Sequence, residues 1–224
     1  MTEPVLAFVH TIDSNIAAFD AMIGELAPGT PVRHALRDDL LKEALDAGEL
    51  TGDIRARTAE AVIAEAEKGA ALVLCTCSTI GPGADDAAQR TATPVLRIDR
   101  PMAEEAVSRG TRIGVAATLA TTLGPTMDLL SEAAEKAGRE VALTPAVYGE
   151  ARDKLMAGDM EGYVRIIADG LRETAKACDV IVLAQASMAP ALDLCSDITV
   201  PILTSPRSGL AAAVESYRKI RAAG

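Results

Sequence analysis

Residues 72–83 read Leu-Val-Leu-Cys-Thr-Cys-Ser-Thr-Ile-Gly-Pro-Gly. A short apolar run ends in small hydroxyl residues, glycines and a proline, the pattern of a buried strand that delivers a polar turn. Residues 180–190, Val-Ile-Val-Leu-Ala-Gln-Ala-Ser-Met-Ala-Pro, repeat it, with Pro190 standing 108 residues beyond Pro82. Two further pairs share nearly that offset. "RIGVAATLATT" (112–122) stands to "VLAFVHTIDSN" (5–15) as strand and turn. Thr118 lies 107 residues beyond Thr11, and Thr121 lies 107 beyond Ser14. "VPILTSP" (200–206) matches "TPVLRID" (93–99), with Pro201 lying 107 beyond Pro94. Anchors in one order at one offset indicate an internally duplicated chain.

Between the anchors, apolar runs alternate with helical patterns. "VLAFVH" (5–10), "PVRHAL" (31–36), "ALVLCT" (71–76) and "PVLRI" (94–98) read as strands. Ile16, Phe19, Met22, Ile23 and Leu26 recur at helical spacing. Thr51 caps a helix running to Gly69, with Ala59, Val62, Ile63 and Ala66 on one face. The alternation predicts an α/β protein of two similar Rossmann-like domains with largely parallel sheets. Open α/β units place ligand loops at the carboxyl ends of their strands. Two pseudo-twofold related units would bring "HTIDSN", "CSTIGPG", "ATLATT" and "QASMAP" to one cleft. Hydroxyls beside helix N-terminal amides suit a small anion, most simply a carboxylate. No G-x-G-x-x-G or G-x-x-x-x-G-K-[ST] supports a dinucleotide or nucleoside triphosphate.

Hydrophobic residues make up 49% of the 224, yet the chain has two Phe, three Tyr and no Trp, so the core is built of Ala, Val, Leu and Ile. The net charge of −10 argues against nucleic acid or an anionic membrane as partner. No apolar stretch is long enough to span a bilayer, and "MTEPVLAFVH" lacks the basic n-region of a signal peptide, so a cytoplasmic protein is expected. Cys75, Cys77, Cys178 and Cys195 are expected to be reduced. Only His10 and His34 could join them as metal ligands and neither has metal-site spacing, so no metal is expected.

The stretches "LCTCSTIGPG", "GVAATLATT" and "VIVLAQASM" together resemble the aspartate/glutamate/hydantoin racemase superfamily, which includes arylmalonate decarboxylase and maleate isomerase. The resemblance runs over essentially the whole chain. It implies two similar α/β domains with the active site between them. The last helix should pack back on the first domain, giving 1–98 plus 206–224 and 99–205. Racemases of this family carry one cysteine on each domain, act from opposite faces of the substrate's α-carbon and use no cofactor.

The first of these cysteines matches Cys77, which follows a strand and precedes Ser78 and Thr79. Cys75, inside the apolar run, reads as a buried small hydrophobe; Cys178, late in a helix, and Cys195 read as structural. The offset sends Cys77 to Gln185, where the resemblance would place a second cysteine. A carboxamide cannot relay a proton at ordinary pH, whereas a thiol can. Three readings of one thiol stay open. Cys77 is the sole acid/base of a decarboxylation or of a proton shift within an unsaturated acid, with Gln185 as hydrogen-bond donor. Alternatively it is a nucleophile toward an activated double bond or carbonyl, or the protein binds a small carboxylate without turning it over. Ser14, Ser78, Thr79, Thr118, Thr121, Gln185, Ala186 and Ser187 are the expected substrate-binding residues, although helix capping also accounts for the Ser and Thr members. His10 and His34, lacking a visible partner, are expected to be structural. The expected partner is a small carboxylate; the sequence leaves a homo-oligomer open.

Overall fold

Strand pairing repeats itself in the two halves of the chain. The computed structural model describes residues 4–223; residues 1–3 and 224, which the sequence assigns to the first domain, lie outside the described residues. In the first half β1 (Val5–His10), β2 (Val32–Leu36), β3 (Ala70–Cys75) and β4 (Val95–Arg97) form a parallel sheet in the order β2-β1-β3-β4. In the second half β5 (Arg112–Ala117), β6 (Ala142–Val147), β7 (Val180–Leu183) and β8 (Ile202–Thr204) form another in the order β6-β5-β7-β8. The duplication is therefore one of topology. Individual hydrogen bonds obey the same offset. Val73 N–H donates to Pro94 O, and Ile181 N–H to Pro201 O, both at 2.9 Å. Thr76 N–H donates to Val9 O at 3.1 Å, and Ala184 N–H to Ala116 O at 2.9 Å.

Helices cover both faces of each sheet, which is why the strands read as continuous apolar runs rather than alternating ones. In the first half α1 (Ser14–Leu26), α2 (Asp38–Ala47), α3 (Gly52–Glu67) and α4 (Gly81–Ala88) follow the strands. Thr51 caps α3 as expected, its hydroxyl oxygen accepting from Ile54 N–H at 3.4 Å. Ala7, Val9, Val73 and Cys75 pack on α2, α3 and α4. The alternate residues Leu6, Phe8, Leu72 and Leu74 pack on Phe19 and Ile23 of α1 and on Leu210, Val214 and Tyr217 of α9 (Ser205–Ala223). In the second half α5 (Arg100–Arg109) and α6 (Ala120–Lys136) cover one face. The other is covered by α7 (Gly149–Met156), α8 (Met160–Ala175) and a 3₁₀ helix (Ala186–Leu194).

The chain divides into two compact units, one ending at Ile98 and resuming at Pro206, the other spanning Asp99–Ser205. The helix after each last strand changes unit: α5, after β4, packs on the second sheet, and α9, after β8, packs on the first. α9 approaches β4 closely enough that a methyl group on Gly209 would overlap the Ile98 carbonyl oxygen.

Three features differ from the sequence reading. The edge strand β6 is not apparent in the sequence because it is largely exposed and contains Pro145, tolerated there because an edge strand leaves N–H groups unused. The helix expected after "QASMAP" is 3₁₀, with Pro190 inside it, a residue that removes an α-helical donor and crowds the preceding turn. Cys178 lies past the end of α8, in the connection to β7, rather than within the helix.

Candidate active site

Cys77 sits two residues past β3, in the turn that leads to α4. Its side chain is half-buried and rests against the core layer formed by α2, α3 and α4. The other three thiols are buried, and burial pushes those of Cys178 and Cys195 up. The Cys75 thiol points toward the Cys77 carbonyl at 3.7 Å, so it supports the turn from below. Ser78 and Thr79 are buried within the turn, and the Ser78 carbonyl accepts from Gly81 N–H at 3.1 Å. Gly81 leaves room for a neighbour absent from the sequence reading. A methyl group there would stand 2.5 Å from Arg97 Cζ, because the buried Arg97 guanidinium lies against this backbone while pairing with Asp85 at 2.8 Å. Nothing local in the sequence marks that arginine; it arrives from the end of β4.

In the second unit Gln185 holds the position corresponding to Cys77, two residues past β7. Its carboxamide is turned into its own unit. Gln185 Oε1 accepts from Thr118 N–H at 2.6 Å, Leu119 N–H at 3.2 Å and the Thr118 hydroxyl at 3.0 Å. Two backbone donors fix which end of the amide is oxygen. The oxygen thus occupies the N-terminal donors before α6, the kind of site that otherwise attracts an anion. A second residue missed by the sequence reading completes the cluster. Tyr163 of α8, fully buried, donates from its hydroxyl to Ser187 Oγ at 3.1 Å. Burial pushes its phenol up, against the opposing effect of the Ser187 and Thr118 hydroxyls. The structure therefore brings together Thr118, Gln185 and Ser187; Ala186 opens the 3₁₀ helix beside them.

The duplicated position in the first unit behaves differently. Thr11 corresponds to Thr118, yet its hydroxyl is buried with no hydrogen-bond partner among the described residues. Unlike Gln185, the cysteine at position 77 supplies no oxygen for it to bond. The hydroxyl of Thr121 is likewise buried without a partner, whereas Ser14, its counterpart, is exposed at the start of α1. Thr11 is a candidate binding residue that the sequence reading used only as an alignment anchor; its pairing with Thr118 was the available signal.

The two histidines, expected to hold hydrogen-bonded structural roles, are hydrogen-bond partners of each other. His10 Nε2 lies 2.9 Å from His34 Nδ1, His10 Nδ1 lies 2.8 Å from Thr76 Oγ1, and His34 Nε2 lies 3.0 Å from Asp20 Oδ1. Burial, with His34 adding to it and Asp20 opposing, lowers His10 to about 4. Among the described residues no group of three or more His, Cys, Asp or Glu is placed to hold a metal ion, and no helix is long and apolar enough to cross a membrane.

Two parallel four-stranded α/β units of one topology, with a thiol at the strand-end turn of one, define a racemase-type fold. The model of the Asp/Glu/hydantoin racemase family matches residues 14–213, and the chain belongs to that family. It is similar in structure to an aspartate racemase homologue from Pyrococcus horikoshii OT3, at 15% identity and a TM-score of 0.70, over 97% of this chain and 100% of that one. Glutamate racemase isoform RacE1 from Bacillus anthracis matches at 16% identity and a TM-score of 0.68, over 100% of this chain and 84% of its own. Unliganded arylmalonate decarboxylase matches at 14% identity and a TM-score of 0.54, over 96% and 93%. No curated protein matches the sequence significantly.

Proposed function

We propose that this racemase-family protein catalyses cofactor-independent, single-thiol proton transfer at the α-carbon of a small carboxylic acid or amino-acid derivative, with Cys77 as acid/base. The observation that carries this reading is Gln185. A second thiol at the duplicated position would supply the second acid of a two-base racemisation, whereas Gln185 is an amide whose oxygen already accepts three hydrogen bonds. Thr11, with a buried hydroxyl free to donate, is suited to an oxygen of the substrate carboxylate. Family membership and the exposure of Cys77 relative to the other thiols support the same reading.

In a decarboxylation of this kind the bond to the leaving carboxylate breaks. Its electron pair stays on the α-carbon as an enolate, the Cys77 thiol gives that carbon a proton, and water reprotonates the thiolate. In a one-face exchange the thiolate removes the α-proton and returns one from solvent to the same side.

The test is a panel of aspartate, glutamate, a substituted hydantoin and a substituted malonate in D₂O, followed by NMR and chiral chromatography. Expected are deuterium incorporation without inversion, or decarboxylation to one enantiomer, both abolished in Cys77→Ala. Racemisation at an enzyme-like rate overturns the reading, because another group must then serve the second face. Ligand-induced stabilisation with no turnover identifies a binding protein instead.

A further inference from the structure

Four polar side chains of the first unit, from α1, β2, β1 and the turn after β3, form one continuous line. Asp20 on α1 is half-exposed, its side chain 53% accessible, and it faces His34 on β2. His34 meets His10, at the end of β1, and His10 meets Thr76, the residue immediately before Cys77. His10 is fully buried. Phe8 lies nearly parallel to both imidazoles, at 5.6 Å from His10 and 5.0 Å from His34, and the Phe19 ring stands edge-on to His10. This apolar packing holds the imidazoles in place and keeps bulk water from supplying alternative partners.

Counting donors leaves this line two consistent arrangements that differ by one proton. In the first, the Thr76 hydroxyl donates to His10 Nδ1, His10 Nε2–H donates to His34 Nδ1, and His34 Nε2–H donates to Asp20. Both imidazoles are neutral. In the second, His34 is an imidazolium that donates to Asp20 and, through Nδ1–H, to His10 Nε2. His10 is then the other neutral tautomer and donates from Nδ1 to Thr76, whose hydroxyl turns to the Val9 carbonyl, 3.2 Å away. The two are linked because an imidazolium His34 must donate from Nδ1, which forces His10 Nε2 to accept and its single proton onto Nδ1. The one proton gained is bound from solvent at His34, and His10 changes tautomer by exchanging its ring proton with solvent. His10 stays neutral in both, in keeping with the burial that lowers it.

The charged groups on neighbouring elements are otherwise engaged. Arg33 on β2 pairs with Glu65 at 2.6 Å, and Arg37, between β2 and α2, pairs with Asp39 at 2.7 Å. On α9, Arg207 pairs with Glu25 at 3.0 Å, and Arg218 donates to the Leu26 carbonyl at 2.8 Å. Asp20 is thus the charged group in contact with the line.

We propose that Asp20, His34, His10 and Thr76 form a hydrogen-bond relay in which binding of one proton at His34, beside the surface carboxylate of Asp20, reorients the hydrogen bonds as far as the turn presenting Cys77. The switch is at Thr76: its hydroxyl donates to His10 in one state, and in the other accepts from His10 while donating to the Val9 carbonyl. The relay gains its functional meaning from the reading of Cys77 above, but its existence is testable without any substrate.

Nitrogen NMR of the imidazole rings across pH on the full chain tests it, together with the rate of Cys77 alkylation by iodoacetamide. As His34 gains its proton, the pyrrole-type and pyridine-type nitrogens of His10 should exchange places while His10 stays neutral. Alkylation, corrected for thiolate fraction, should step at the same pH. Asp20→Asn, at an exposed position, should move the exchange and the step together to lower pH. Thr76→Val should remove the step. A His10 that keeps one tautomer throughout, or that becomes cationic together with His34, overturns the relay. A tautomer exchange with no alkylation step overturns its link to Cys77, whether or not Cys77 turns over any acid.

Discussion

Gln185 Oε1 lies 2.6 Å from the Thr118 amide nitrogen, where a racemase-type reading would place a reacting thiol and a bound carboxylate oxygen. The side chain acts as a built-in acceptor for the donors before α6. Gln185→Ala leaves Thr118 N–H and Leu119 N–H without that acceptor and should destabilise the fold by about 1–3 kcal/mol in urea unfolding. Gln185→Glu keeps the acceptor and adds charge to it. Its folded pKa should fall below the unfolded value, so the gain is present above about pH 4.3 and lost as pH drops through the folded value. Gln185→Cys restores a thiol but removes the acceptor, so weak racemisation, if gained, should come with lower stability.

Thr11 presents the converse case. Its buried hydroxyl has no internal partner among the described residues, so the near-isosteric Thr11→Val should leave thermal stability unchanged or slightly raised. The same change should weaken binding of a small carboxylic acid by roughly tenfold, about 1.4 kcal/mol. Calorimetric titration beside thermal unfolding checks both signs; parallel losses in stability and binding would make Thr11 a packing residue.

Brief, limiting iodoacetamide followed by peptide mapping should modify Cys77 before Cys75, Cys178 or Cys195. The three slower thiols are buried, and two of them are also pushed up by that burial. Preferential labelling of another cysteine would relocate the reacting group.

His10 links folding to pH. Its folded value, about 4, lies below the ordinary 6.5, so between these values the unfolded chain binds a proton that the native one does not. Stability should therefore be fully present above pH 6.5 and fall by roughly 3 kcal/mol as pH drops toward 4. The paired carboxylates are lowered too, but they release their contribution only below their own unfolded values near 4. Urea unfolding from pH 7 to pH 4.5 should show the slope in the wild type and lose most of it in His10→Gln.

Gly209→Ala should cost about 3 kcal/mol or more in thermal or urea unfolding, because the added methyl overlaps the Ile98 carbonyl and forces α9 off its seat. Gly24→Ala, where a methyl would meet nothing within 4 Å, is the matched control and should be neutral or slightly stabilising.

The amino-acid sequence by itself determined the duplication, the α/β class and the thiol in the turn after β3. Each is a local matter: a strand buried on both faces must be apolar along its length, and a turn after it must be small and polar. Pro82 with Pro190, and Pro94 with Pro201, carry the offset because each pair stands at the same place in its copy, seven residues past the third strand and directly before the fourth. The direction of a side chain is not local. Gln185 is one residue type in a polar turn until β5 is laid beside β7, when Thr118 and Leu119 present their amides to it. Tyr163, Arg97 and the joining of His10 to His34 make contacts 12 to 66 residues away along the chain, and depend on register and packing. Parallel pairing decides all of them, since it carries the ends of distant strands to the same edge of a sheet.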